Sequence, residues 1–105
     1  MTEIWKTIEK YENTYEVSNV GRVRNMKTGK YITPKHNNCG YVQIRLSRNG
    51  KVEHWLLHRL VAVTFIKNPD GLPQVNHKDE NKDNNSAENL EWCTNLYNRH
   101  YGSGY

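Results

Sequence analysis

Hydrophobic and polar positions alternate cleanly in one stretch of this 105-residue chain, "GYVQIRLSRNGKVEHWLLH" (Gly40–His58). There Val42, Ile44 and Leu46 alternate with Tyr41, Gln43 and Arg45, Arg48-Asn49-Gly50 interrupts, and Val52 and Trp55 return. Alternation on both sides of Asn-Gly predicts a β-hairpin, because its tight turn needs positive φ at both central residues. Upstream, "YEVSNVGRVR" (Tyr15–Arg24) alternates weakly through Gly21 and reads as a strand or bent hairpin. "GKYIT" (Gly29–Thr33) could pair with it through a Lys27-Thr28-Gly29 turn. Downstream the period changes. "LHRLVAVTFIKN" carries apolar residues at 57, 60, 61, 65 and 66, which predicts a short buried helix ending before Asn68-Pro69. "LPQVNH" then reads as a brief strand, "KDENKDNNSAEN" as a turn-rich loop and "LEWCT" as a second strand. Thr94 is a good N-cap for a final helix over "TNLYNRHY", stopped by "GSG". The fold class is α+β, with a strand–loop–strand–helix in the last third.

The length allows one domain or two small lobes sharing a core. The natural division is a basic antiparallel β region over 1–56 and a second region over 57–105. Hydrophobic residues make up 35% of the chain and the mean hydropathy is −0.97, so the core is expected to be thin. Net charge is +4 and the pI about 9.1, which favours an acidic partner such as nucleic acid. The charge is also concentrated: residues 20–59 hold nine Lys/Arg against one acid, Glu53. Cys39 and Cys93 have no C-x-x-C partner, so no disulfide framework or zinc knuckle is encoded. The N-terminus lacks a signal-peptide apolar region, and the longest apolar run is the four residues Leu60–Val63. No membrane partner is expected, and a cytoplasmic location fits best.

Seven of the 25 residues from Asn76 to His100 are asparagine, spaced among the apolar anchors Leu90, Trp92 and Leu96. The short strand ends in Asn76-His77, and the final helix carries Asn98. If that helix lies across the strand pair, Asn98 reaches Asn76-His77, placing two amide oxygens round one cation with an imidazole beside it. Mg²⁺ (or Mn²⁺) accepts oxygen ligands and keeps waters, leaving room for phosphate oxygens. A neutral histidine can take a proton from water near pH 7. The set suits phosphodiester hydrolysis. "DENKDNN" superficially suggests a calcium loop, but from Asp79 the sixth position is Asn84 rather than Gly and the twelfth Leu90 rather than Glu.

These residues, "HRLVAVTFIKNP" and "VNHKDENKDNNSAENLEW" followed by Asn98, resemble in order and spacing the core of the HNH nucleases, in particular small phage-encoded HNH homing endonucleases. "IWKTIEKYENTYEVSNVGRVRN" resembles the modular N-terminal motif that often precedes that core, so the likeness runs from about Ile4 to His100. The resemblance implies a ββα-metal (His-Me finger) core and a divalent-metal-dependent endodeoxyribonuclease leaving 5′-phosphate and 3′-hydroxyl ends. It places His77 as general base, Asn76 and Asn98 as metal ligands where relatives may have Asp or His, and Asn89 as the middle Asn bracing the loop and orienting His77. Both ligands here are neutral amides, so poor metal affinity without DNA is expected. A phage or prophage origin, with action in a bacterial host cell, is likewise implied by resemblance. Homing relatives often carry a helical DNA-reading module after the core; the chain ends at Tyr105, so looser sequence specificity is expected.

The partner is then double-stranded DNA. Arg22, Arg24, Tyr41, Gln43, Arg45, Arg48, Lys51, Arg59 and Lys82 are the candidate contacts, with Tyr41, Gln43, Arg45 and Arg48 on a ribbon that could enter the major groove. One core has one cutting centre, so a monomer or weak dimer is expected to nick a single strand. The alternative is a catalytically decayed HNH-fold DNA-binding protein, a reading kept open by the neutral Asn76/Asn98 pair. Plainer roles suit the rest: His58 for capping or packing, His36, His54 and His100 for the surface or groove, Asn81, Asn84 and Asn85 for loop shape, Trp5, Trp55 and Trp92 for the core, and Cys39 and Cys93 as ordinary thiols.

Overall fold

The computed structural model describes residues 2–94. Among these residues three small antiparallel sheets pack around one α-helix, an α+β arrangement. The first sheet is the meander β1 (Trp5–Thr7), β2 (Tyr15–Ser18) and β3 (Val23–Asn25). Gly29–Thr33 adds a single bridge to it, Arg24 opposite Tyr31. The second sheet pairs β4 (Lys35–His36), β5 (Val42–Arg48) and β6 (Lys51–Leu56). Asn49 (φ 51°) and Gly50 (φ 79°) form the two-residue turn between Arg48 and Lys51, the positive-φ pair that a right-twisted hairpin demands. Next come α1 (Leu57–Phe65) and the third sheet, β7 (Gln74–His77) paired with β8 (Leu90–Cys93). The intervening loop closes with a 3₁₀ turn, Ala87–Asn89.

The alternation read in β5 is an inside–outside pattern: Val42, Ile44 and Leu46 are buried, and Arg45 points out. Ile44 and Leu46 join Ile8, Tyr11 and Val17 from the first sheet, Leu60 and Val61 from α1, and Val75 and Leu90 from the third. Burying each such side chain contributes roughly 1.5–3 kcal/mol. Residues on both sides of position 56 therefore share one core, and β6 passes into α1 with no residue between them.

Several elements differ from expectation. β1 and β4 have no sequence signature; they are two or three residues long and mostly exposed. Trp55 and Trp92 pack against the core partly exposed, while Trp5 takes the guanidinium of Arg24 over its ring at 3.8 Å. The helix expected from Thr94 lies outside the described residues.

Two contacts join the first sheet to the β7–β8 loop. Ala87 N–H donates to the Asn19 carbonyl at 2.7 Å. Gly21, at φ +88°, lies so close that a Cβ there would stand 3.0 Å from the Asn85 carbonyl oxygen. Only glycine combines that φ with that approach.

Candidate active site

β7 carries Val75, Asn76 and His77 in succession, and all three are buried. Val75 enters the core, and the His77 ring lies 4.8 Å from His58 on α1. Tyr41 stacks on His58 at 5.0 Å and reaches 6.0 Å from His77, completing a three-ring cluster. His77 is 5% exposed, and its Nε2 lies 2.8 Å from Asn85 Oδ1. Asn85 Nδ2 donates to the Lys82 carbonyl, which orients the amide with Oδ1 toward the ring. That oxygen only accepts, so Nε2 carries the ring proton and Nδ1 keeps a lone pair. Burial lowers the His77 pKa below its ordinary value, opposed by the Asn85 hydrogen bond and the Asp79 carboxylate. The imidazole is therefore neutral at pH 7. His58 is pushed further, to about 3, by burial first and then by the charges of His77 and Arg59. Its buried Nδ1 has no hydrogen-bond partner among the described residues.

Asn89 closes the loop that follows His77. Its Nδ2 donates to Asp79 Oδ1 (2.9 Å) and to the Asn84 carbonyl (2.8 Å), its Oδ1 accepts from Asp79 N–H, and its carbonyl accepts from Lys78 N–H. The Asp79 carboxylate also takes Asn81 N–H and Asn84 Nδ2, and these bonds hold its pKa below the usual range. The amide that touches His77 is the loop residue Asn85. Two further links tie the loop to the second sheet: Lys82 Nζ donates to the Cys39 carbonyl at 2.8 Å, and His36 Nε2 meets Asp83 Oδ1 at 2.6 Å.

Next to His77 on β7, Asn76 is 6% exposed and its Nδ2 donates to Glu91 Oε1 at 3.1 Å. Asn98 and His100 lie outside the described residues. Among the described residues no three His, Cys, Asp or Glu side chains gather as a metal cluster. The donors present at Asn76, an amide oxygen and a carboxylate, are the hard oxygen type that Mg²⁺ and Mn²⁺ take.

Residues 3–47 match the NUMOD4 motif. DNA endonuclease I-HmuI of Bacillus phage SP01 is 43% identical over 94 residues, which is 90% of this chain and 54% of that protein. A solved structure of I-HmuI, describing DNA binding and cleavage by that HNH homing endonuclease, superposes with a TM-score of 0.84 over 91% of this chain and 55% of that one. The chain is a relative of the HNH endonucleases. An uncharacterized HNH endonuclease of Acanthamoeba polyphaga mimivirus is 45% identical over 78% of this chain and 25% of its own length. H-N-H endonuclease F-TflII of Escherichia phage T5 is 36% identical over 84% of this chain and 46% of its own. The chain thus spans about a quarter to a half of these relatives.

In this HNH relative the basic residues do not form one field. Arg22 is paired with Glu3 and Arg24 with Glu16, both acids lying outside the basic window of the sequence. Arg48 donates to the Lys10 carbonyl, opposite an exposed Lys51 in the hairpin register. Arg59 donates to the Pro73 carbonyl at 2.8 Å and lies over the Trp92 ring. Lys82 Nζ sits 4.6 Å over the Tyr41 ring, so both flank the histidine cluster rather than the ribbon's outer face. That outer face carries Gln43 and Arg45, which line a shallow groove with Ile32, Thr33, Lys35 and His54. Among the described residues no helix is long and apolar enough to cross a membrane.

Proposed function

We propose that the chain binds and cuts double-stranded DNA as a divalent-metal-dependent HNH endonuclease, in a ββα-metal core whose two strands are β7 and β8. The outer face of β5, with Gln43, Arg45 and the neighbouring Lys35, meets the duplex. His77 is the general base. Its Nδ1 accepts a proton from water, the oxygen attacks phosphorus, and the 3′ oxygen departs and takes a proton from solvent, leaving 5′-phosphate and 3′-hydroxyl ends. Asn85 fixes the tautomer that leaves Nδ1 free, and Asn89 holds the loop on which Asn85 sits. Asn76 and Asn98 would hold the cation. Bound Mg²⁺ or Mn²⁺ would offset the charge on the phosphate and on the departing oxygen. A single copy has one general base and nicks one strand.

The observation that carries this reading is the buried, neutral His77, held by Asn85 on the hairpin of a chain that superposes on I-HmuI. A plasmid-nicking assay with Mg²⁺ or Mn²⁺ tests it, run beside a gel-shift measurement. The intact chain should convert supercoiled to open-circular DNA, and His77→Ala should bind without nicking. Binding without nicking by the intact chain would favour the rival reading, an HNH fold kept for DNA binding alone.

A further inference from the structure

We infer that Glu91 supplies the negative charge of the divalent-cation site, the charge that the Asn76 amide lacks. The inference rests on the metal-dependent reading above. Asn76 and Glu91 stand directly opposite in the β7–β8 ladder, so their side chains share a face. The Glu91 carboxylate accepts from Asn76 Nδ2 at 3.1 Å. That bond engages the amide nitrogen, so the carbonyl oxygen is the atom of Asn76 that a cation would take.

Glu91 also carries a charge that no described cation neutralises. Glu3 and Glu16 are each neutralised by an arginine, whereas Glu91 forms no ion pair among the described residues. Asp79, on the same hairpin loop, is bound by Asn81, Asn84 and Asn89. Hard divalent cations are held in proteins chiefly by carboxylates, and two neutral amides with water form a weak site. Glu91 brings a formal charge to Asn76 from across the ladder, either to the ion itself or to one of its waters.

Glutamine decides between this role and a purely structural one. Its Oε1 can accept the same hydrogen bond from Asn76, so Glu91→Gln keeps the cross-strand contact and removes only the charge. Mn²⁺ uptake is measured from the loss of the free-ion electron paramagnetic resonance signal, without DNA, on the intact chain, Glu91→Gln and Asn76→Asp/Glu91→Gln. Far-UV circular dichroism and metal-free melting establish that each is folded. Glu91→Gln should weaken Mn²⁺ binding about 10–100-fold, the usual cost of losing a charged partner of a metal ligand. The double variant, which moves the carboxylate to position 76, should restore it. Equal affinity of the intact chain and Glu91→Gln overturns the inference and leaves the cation site standing. So does a double variant that binds when the intact chain does not. If neither the intact chain nor the double variant takes up the ion, the cation site falls and the inference with it.

Discussion

Replacing His58 by phenylalanine should flatten the acid side of the stability curve. His58 is 6% exposed, packs against Tyr41 and His77, and has no partner for Nδ1 among the described residues. Burial lowers its pKa from 6.5 to about 3. Unfolded, the ring takes a proton as pH falls through 6.5; folded, it resists until about 3. The unfolded chain therefore binds more protons between those values. Stability from a neutral His58 is complete above 6.5 and is lost as pH falls toward 3. At pH 4.5 the loss is about 2–3 kcal/mol, with 1.36 kcal/mol for each pH unit below the unfolded pKa. For a domain whose stability is of the order of 5–15 kcal/mol that is a large fraction. Phenylalanine keeps an aromatic ring in the stack, cannot titrate, and leaves no buried nitrogen unpaired. Urea unfolding followed by tryptophan fluorescence at pH 7 and pH 4.5, on both proteins, isolates the effect because the other titrating groups are common to both. Intact protein and His58→Phe losing the same stability between the two pH values would refute the reasoning.

Other substitutions probe the joints of the site. Gly21→Ala puts a Cβ 3.0 Å from the Asn85 carbonyl at φ +88° and should cost about 1–3 kcal/mol; an unchanged melting temperature would contradict that. Asn85→Ala removes the acceptor that sets the His77 tautomer and should lower kcat of nicking by about tenfold or more with KM little changed, whereas a change confined to KM would place Asn85 in DNA binding. Arg45→Gln should reduce the slope of log affinity against log salt by about 0.9, one phosphate contact. Arg24→Gln should leave that slope unaltered, because its guanidinium already meets Glu16.

What could be read from the sequence was what is local. Asn49-Gly50 and the period of 57–66 each fix conformation within a few residues, so the hairpin and α1 appear where the pattern puts them. The strands ending at His77 and beginning at Leu90 were legible for the same reason. β1 and β4 were not, because three residues of WKT and two of KH are strands only through their neighbours. The basic window misled for a related reason: Glu3 and Glu16, which neutralise Arg22 and Arg24, come from outside it. Tyr41 and His58 reach His77 through packing that no spacing encodes. The pairing of Asn76 with Glu91 depends on a register fixed across a 12-residue loop, which the alternation on either side leaves open. Asn85 could have been singled out only by knowing which of several loop amides turns inward.

The direct passage of β6 into α1 sets a length scale. On the proposed reading, a duplex lying on the grooved sheet would meet the His77 imidazole at one distance, because that sheet and the helix against which His77 packs share one core with no tether between them. The break in the strand should then fall a constant number of base pairs from the sheet's footprint, and flexing the chain would not smear it.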